Sequence, residues 1–441
     1  MDFSPRARCR APLPGRLVGM MSWILFGASL ALALFTYNAF RPVRRNRVLF
    51  VPSFFASWLT IELVWWHLIW EAAGAAVLVW LGALDRPIGW VGLVILVVNW
   101  LALAVIFLRG RSAAPVAAAV LESLDDDEAI VAAGKVVRVK DVPFRRIAGK
   151  TIRLDITAPA APPTDGERRP ALLQIHGGAW IIGDKREQGL PLIKYLASRG
   201  WVCFNANYRL SPGATWPDPL TDLKHALAWI REHADEYHVD PNFIAVSGGS
   251  AGGHLAAMMA LTANDPEYQK GIEDADTSLQ AAVPIYGVYD FTNRNQTMPP
   301  QFLPWILEPM VMKEFLADNP EAFAKASPLD NVHADAPPFF VVHGDNDTLA
   351  PVQDARMFVE DVGEVSDAPV FYLELHGAQH AFDVFSSVRT RRVVRAVYRF
   401  LTVMHARYRA GISEKVAPAE QEMVDGAVLV DDHADVERAA S

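Results

Sequence analysis

The apolar run Phe243-Ile244-Ala245-Val246 leads within two residues into Gly248-Gly249-Ser250-Ala251-Gly252-Gly253, and an Ala-, Leu- and Met-rich segment follows directly. The first run has the composition of a buried strand and the last that of a helix. A chain that turns from strand to helix in so few residues must bring its backbone close to itself, which small residues on either side permit. The turn leaves Ser250 in a strained conformation with its hydroxyl exposed at the sheet edge. Whatever else the chain forms, it is built around this strand–turn–helix unit.

The rest of the chain from about residue 130 repeats the same alternation. Candidate strands fall at 135–140, 152–157, 170–175, 201–207, 243–247, 281–286, 338–342 and 370–375, with helical patterns near 187–199, 218–236, 251–264, 352–363 and 388–408. Buried strands separated by helices of this length predict an α/β fold, a mostly parallel eight-stranded sheet covered on both faces. Residues 289–335 break the rhythm with Pro299, Pro300, Phe302, Pro304, Trp305, Met310, Met312 and Phe315, and read as an insertion that covers the site like a lid. Residues 411–441 are acidic with little periodicity and read as a disordered tail.

Of the 441 residues 51% are hydrophobic and only 21% charged, below the roughly 25% charged of soluble domains. The excess apolar content sits in residues 1–110. Residues 18–40 carry no charge and suffice to cross a bilayer, which takes about 20 residues. After Arg41, Arg44, Arg45 and Arg47 a second apolar stretch covers 48–84, broken only by Glu62, His67 and Glu71. A turn at Asp85-Arg86-Pro87 then leads to a further span at 88–108. This predicts an α-helical membrane region of three or four crossings at 1–110, followed by an α/β domain at 111–410. Arg6, Arg8, Arg10 and Arg16 nearly balance the basic residues after the first span, and Arg109 and Arg111 tip the second domain towards the cytoplasm. The ionisable residues inside the apolar stretches leave open a reading in which this region is itself a transporter or sensor.

The net charge of −9 argues against a nucleic-acid partner. Cys9 and Cys203 stand in unrelated contexts, so no disulfide framework is implied, and oligomeric state is not legible.

The chemistry requires more than Ser250. A serine hydroxyl is a weak nucleophile and needs a base, itself oriented by a third group. Downstream lie His343-Gly344-Asp345-Asn346-Asp347 after one strand and His376-Gly377-Ala378-Gln379-His380-Ala381-Phe382 after the next. His380 lies on the loop proper and is the expected base; His376, at the strand end, is expected to be structural. Asp347 is the expected orienting acid, with Asp345 as the alternative. Upstream, His176-Gly177-Gly178-Ala179-Trp180 follows the strand Leu172-Leu173-Gln174-Ile175. Its N–H groups at Gly178 and Ala179, with that of Ala251, are the expected donors to an oxyanion. Trp180 and Gly249 are expected at the substrate, and His176 is expected to fix the loop. No metal or cofactor is expected.

Together with NYRLSP at 207–212 and WPDPLTDLKHALAWI at 216–230, these motifs resemble the hormone-sensitive-lipase-like carboxylesterases, particularly membrane-associated esterases of mycobacteria and related actinomycetes. The resemblance covers about residues 130–408 and implies the α/β-hydrolase fold and hydrolysis of carboxylic esters through an acyl-enzyme. Where related hydrolases carry H-G-x-x-D, the final Asp is the triad acid, which corresponds to Asp347. Ala179 stands where many relatives have a third Gly, and Gly249 where many have Asp or Glu. The membrane region points to apolar or lipid-like esters. A specialised hydrolase on the same fold, of aryl-formamidase or isoprenylcysteine-methylesterase type, is the alternative enzyme reading, and a receptor or scaffold on this fold the non-catalytic one.

Overall fold

The computed structural model describes residues 15–122, 124, 131–163, 166–412, 422–424 and 427–429. The chain divides into two compact units, one holding the described residues up to Val43 with Val51–Leu108, the other Arg44–Phe50 with the chain from Arg109 onward.

The first unit is helical. Helices α1 (Gly15–Phe40) and α4 (Pro87–Val120) are long and apolar enough to cross a membrane. The stretch expected to give one or two crossings forms α2 (Phe50–Glu62) and α3 (Val64–Trp80), bent by 87° to one another. With a rise of about 1.5 Å per residue, neither reaches the roughly 30 Å of a bilayer core. By length and composition the described helices thus offer two candidate spans, or three if the bent pair serves as one, against the three or four expected. Leu25, Ala75, Ala83 and Leu96 pack into one apolar cluster, and Ala39, Ile61, Val64, Leu103 and Ile106 into another. Large apolar side chains nonetheless face outward, among them Trp23, Leu34, Trp70, Val94 and Leu101. Glu71 is buried and its Oε2 accepts hydrogen bonds from Asn99 Nδ2 at 2.9 Å and Trp100 Nε1 at 3.1 Å. Such bonds satisfy a carboxylate between apolar helices by helix-to-helix bridging.

The second unit is built on eight strands: β1 (Val136–Ile147), β2 (Lys150–Pro159), β3 (Arg169–Ile175), β4 (Val202–Ala206), β5 (Val239–Gly249), β6 (Ala281–Ile285), β7 (Phe339–Gly344) and β8 (Val370–Leu375). Their order is β1-β2-β4-β3-β5-β6-β7-β8, antiparallel at β1/β2 and β2/β4 and parallel from β4 onward. Each expected strand has its counterpart. The alternation of side chains explains why the sheet is covered twice. Ala171, Leu173, Ile244, Val246, Phe339 and Val341 enter one core, with α6 (Asp218–Glu232), α7 (Ala251–Leu261) and α9 (Val352–Val365); α8 is Pro320–Lys325. Leu172, Ala245, Phe340 and Val342 enter the other, with α5 (Leu190–Ala197), α10 (Val388–Arg409) and Ala113, Ala117 and Val120 from the end of α4. Period-two apolar runs buried on both faces are what a parallel sheet demands.

Register then assembles the site. Ile175 pairs with Gly248, Gly249 with Ile285, and Gly344 with Leu375, so β3, β5, β6, β7 and β8 end together at one edge. The expected tail lies largely outside the described residues; within it Glu422–Val424 pairs antiparallel with Ala427–Leu429.

Candidate active site

Ser250 sits between β5 and α7 with φ 60° and ψ −122°, a region that L residues rarely occupy. Its N–H donates to Ile285 O at 3.0 Å, tying the turn to the end of β6. The glycines are required by the close approach. A Cβ on Gly252 would lie 2.3 Å from Ile175 O and 2.7 Å from His176 O, both backbone atoms that have nowhere to move. This is how the sequence forces the helix against the sheet and leaves the serine at the crest.

The loop after β3 is also held in unusual backbone geometry, with positive φ at Gly178, Ala179 and Trp180 in succession. His176 anchors it: the imidazole stacks on Tyr208 at 4.4 Å, its Nδ1–H donates to Gly177 O at 2.8 Å, and the Tyr208 hydroxyl donates to His176 O at 3.0 Å. Burial lowers the imidazole's pKa, which keeps it neutral and suits an anchoring part. Gly177 N–H is taken by Gln188 Oε1 at 2.7 Å. Among the described residues the N–H groups of Gly178 and Ala179 make no hydrogen bond. Trp180, expected at the substrate, is instead fully buried. Its indole N–H donates to His254 Nδ1 at 3.3 Å and its ring packs edge-on against Phe291. The side chain supports the loop from beneath rather than lining a surface.

The two His–Asp combinations left open by the sequence separate by burial. His380 Nδ1 lies 2.7 Å from Asp347 Oδ2, with both side chains buried. His376 Nδ1 lies 2.7 Å from Asp345 Oδ2, but that imidazole is half exposed. Asp347 also accepts backbone N–H bonds at Oδ1 from Leu349 at 2.8 Å and Ala350 at 2.9 Å. His343 Nε2 stands 3.4 Å from its Oδ2. Burial pushes the Asp347 carboxyl upward, but attraction to His380 and hydrogen bonds from His343 and His380 outweigh it and hold the group well below the usual carboxylate range. Gln379 Oε1 accepts from both Thr348 N–H and His380 N–H at 2.9 Å, bracing the two loops together.

Residues that sequence reasoning passed over complete the surroundings. Tyr286 packs on His380 with ring centroids 4.7 Å apart, and its hydroxyl donates to Asp383. The insertion after β6 folds partly into the core through Leu307, Val311 and Met312, and Trp216 N–H donates to Val311 O at 2.9 Å. It leaves Trp305 and Phe315 exposed, and Ile182, next to the loop after β3, is also exposed. Among the described residues no group of three or more His, Cys, Asp and Glu could hold a metal ion.

The family model BD-FAE matches residues 154–362. The fold is that of an α/β-hydrolase, and the likeness is to esterases of the hormone-sensitive-lipase-like kind. The probable carboxylic ester hydrolase LipM of Mycobacterium tuberculosis is 53% identical over 242 residues, which cover 55% of this chain and 56% of that protein. Esterase LipQ of the same organism is 48% identical over 242 residues, covering 55% and 57%. The matched stretch therefore spans little more than half the length of these curated relatives. Among solved structures, Thermogutta terrifontis esterase 2 phosphonylated by sarin matches with a TM-score of 0.52 at 25% identity, covering 66% of this chain and 100% of that one. The propionate-bound form of the same esterase matches with a TM-score of 0.50 at 26% identity, covering 62% and 94%.

Proposed function

We propose that this protein is a membrane-anchored serine carboxylesterase acting on apolar acyl esters. One observation carries the reading: the strained Ser250 stands at the same sheet edge as the buried Asp347–His380 pair. In this reading Ser250 Oγ attacks the ester carbonyl carbon as His380 Nε2 takes the hydroxyl proton. Asp347 holds Nδ1–H and balances the imidazolium. The carbonyl oxygen, now negative, accepts N–H bonds from Gly178, Ala179 and Ala251. The tetrahedral intermediate expels the alcohol, which receives the proton from His380, and an acyl-Ser250 remains. Water, deprotonated by His380, then releases the acid and restores the serine.

Exposed Ile182, Trp305 and Phe315 support an apolar substrate, the insertion acting as its cover. Anchoring is supported by the length of α1 and α4 and by the apolar side chains that the helical unit turns outward. Arg109 and Arg111 favour a cytoplasmic catalytic unit, which protease protection of oriented vesicles would test.

Profiling the full chain in detergent on p-nitrophenyl esters of graded acyl length tests the substrate class. The reading expects turnover that rises beyond acetate and vanishes in Ser250→Ala. Preference for N-formylkynurenine over every ester would instead favour the formamidase alternative.

A further inference from the structure

Tyr286 follows β6 directly and is locked there: its N–H donates to Val342 O at 2.7 Å, its φ is +39°, and its side chain is almost wholly buried. From this position one ring touches two parts of the site. Its centroid lies 4.7 Å from that of His380, with the planes 57° apart. On the other side it fills the space beside Gly249: a Cβ there would lie 2.5 Å from the Tyr286 hydroxyl oxygen and 2.8 Å from Cε2 and Cζ. The residue before the nucleophile is thus a glycine because Tyr286 occupies the volume. The hydroxyl in turn donates to Oδ1 of Asp383, a buried carboxyl three residues beyond His380. Phe382 packs edge-on against the same ring at 5.3 Å, closing the loop around it.

We propose that Tyr286 and Asp383 form a positioning pair that fixes the plane of the His380 imidazole and places a second carboxyl group near it. This rests on the reading of His380 as the base of Ser250. Among the described residues, titratable groups beside the imidazole include Asp347 from the loop after β7, Tyr286 from the end of β6, and Asp383 from its own loop. Burial raises the Asp383 carboxyl above its ordinary value, and the Tyr286 hydroxyl bond, a backbone N–H and the His380 charge offset this only in part. The Tyr286 donor is the largest of the contributions that favour the charged form there. An ionised Asp383 favours the imidazolium that forms as Ser250 attacks, and the ring above it limits the tilt of the base. A ring that merely filled the core would need neither the hydroxyl nor the acid.

The test uses the full chain carrying Tyr286→Phe, Asp383→Asn, or both, with a p-nitrophenyl ester as substrate and a fluorophosphonate as active-site label. Each single variant is expected to lose about 10- to 100-fold in kcat with KM little changed. In both, the acid limb of the kcat/KM profile should move to lower pH: Asp383→Asn removes the negative charge, and Tyr286→Phe leaves a buried carboxyl without its donor, so it takes up a proton. The double variant should be no slower than the slower single, because the two act as a unit. Tyr286→Phe keeps the ring that packs on His380 and Phe382, so it remains informative if Asp383→Asn does not fold. An unmoved acid limb, a limb that moves in only one single variant, or additive losses would overturn the pair. Ser250→Ala separates the underlying reading. If that variant is still labelled, the reading of the nucleophile itself fails; if it is unlabelled while the limb stays unmoved, only the pair fails.

Discussion

His380 Nδ1 lies 2.7 Å from Asp347 Oδ2 at the sheet edge where Ser250 also stands. A second imidazole–carboxylate contact, His376 to Asp345, has the same length and uses neighbouring positions of the same two loops, yet it is open to solvent. Burial, not distance, distinguishes the pair that can hold a proton at a defined atom, because solvent screens and competes with the exposed one.

A direct contrast follows for the two acids. Asp347→Asn should lower kcat by about 10³–10⁴-fold, since the amide no longer balances the imidazolium or fixes its tautomer. Asp345→Asn should stay within about threefold of wild type. Steady-state kinetics on one ester settles both, and equal losses in the two variants would contradict the assignment.

Asp354 makes a prediction about stability against pH. It is buried and accepts from Thr297 Oγ1 at 2.9 Å through one oxygen, while the other finds no hydrogen-bond partner among the described residues. Burial, chiefly, raises its carboxyl from 3.8 to about 6. An acid whose folded pKa is raised favours the fold when protonated, so its cost appears as pH rises from about 4 to 6 and persists above. Asp354→Asn should therefore stabilise the protein at pH 8 by on the order of 2–3 kcal/mol. The gain should shrink to nothing near pH 4. Urea melts at the two pH values read it; a gain independent of pH would count against this account.

Asp222 explains why two of the sequence motifs belong together. Its carboxylate takes Arg209 N–H at 2.9 Å and Arg209 Nε at 2.8 Å, and also binds Arg145 of β1. Asp222→Ala would leave two largely buried guanidinium groups facing each other. The expected cost is about 3–5 kcal/mol in urea unfolding, the range seen when one partner of a buried pair is removed. A loss below about 1 kcal/mol would show that water reaches these cations freely.

Much of this was legible in the chain. The eight strands were readable because each carries an apolar run bounded by turn residues, and helices long enough for crossovers mark most of them as parallel, though not their order. Ser250, Asp347 and His380 could be singled out as candidates because each lies just past a strand end, where hydrolases of this fold carry such groups and which local sequence marks. Asp347 is preferred over Asp345 from the sequence, but the difference in burial between their histidine partners is set by neighbours far along the chain and carries no local mark. Trp180, expected at the substrate, is buried by packing against His254 and Phe291, which local sequence does not reveal. Tyr286 and Asp383 left no local signal, being 97 residues apart in sequence. The stretch 48–84 was ambiguous for a different reason. Its length fitted no whole number of spans, and the chain resolves this with an 87° bend.

The proposed function stands on Ser250 acting as a nucleophile made reactive by His380 and Asp347. It is tested most directly by labelling the full chain with a fluorophosphonate and locating the adduct by peptide mass spectrometry. Wild type should carry one adduct, on the peptide containing Ser250. Ser250→Ala should carry none, and His380→Ala should label more slowly by about 10³-fold or more. An adduct on any other residue, or Ser250→Ala labelled as fast as wild type, would contradict the account.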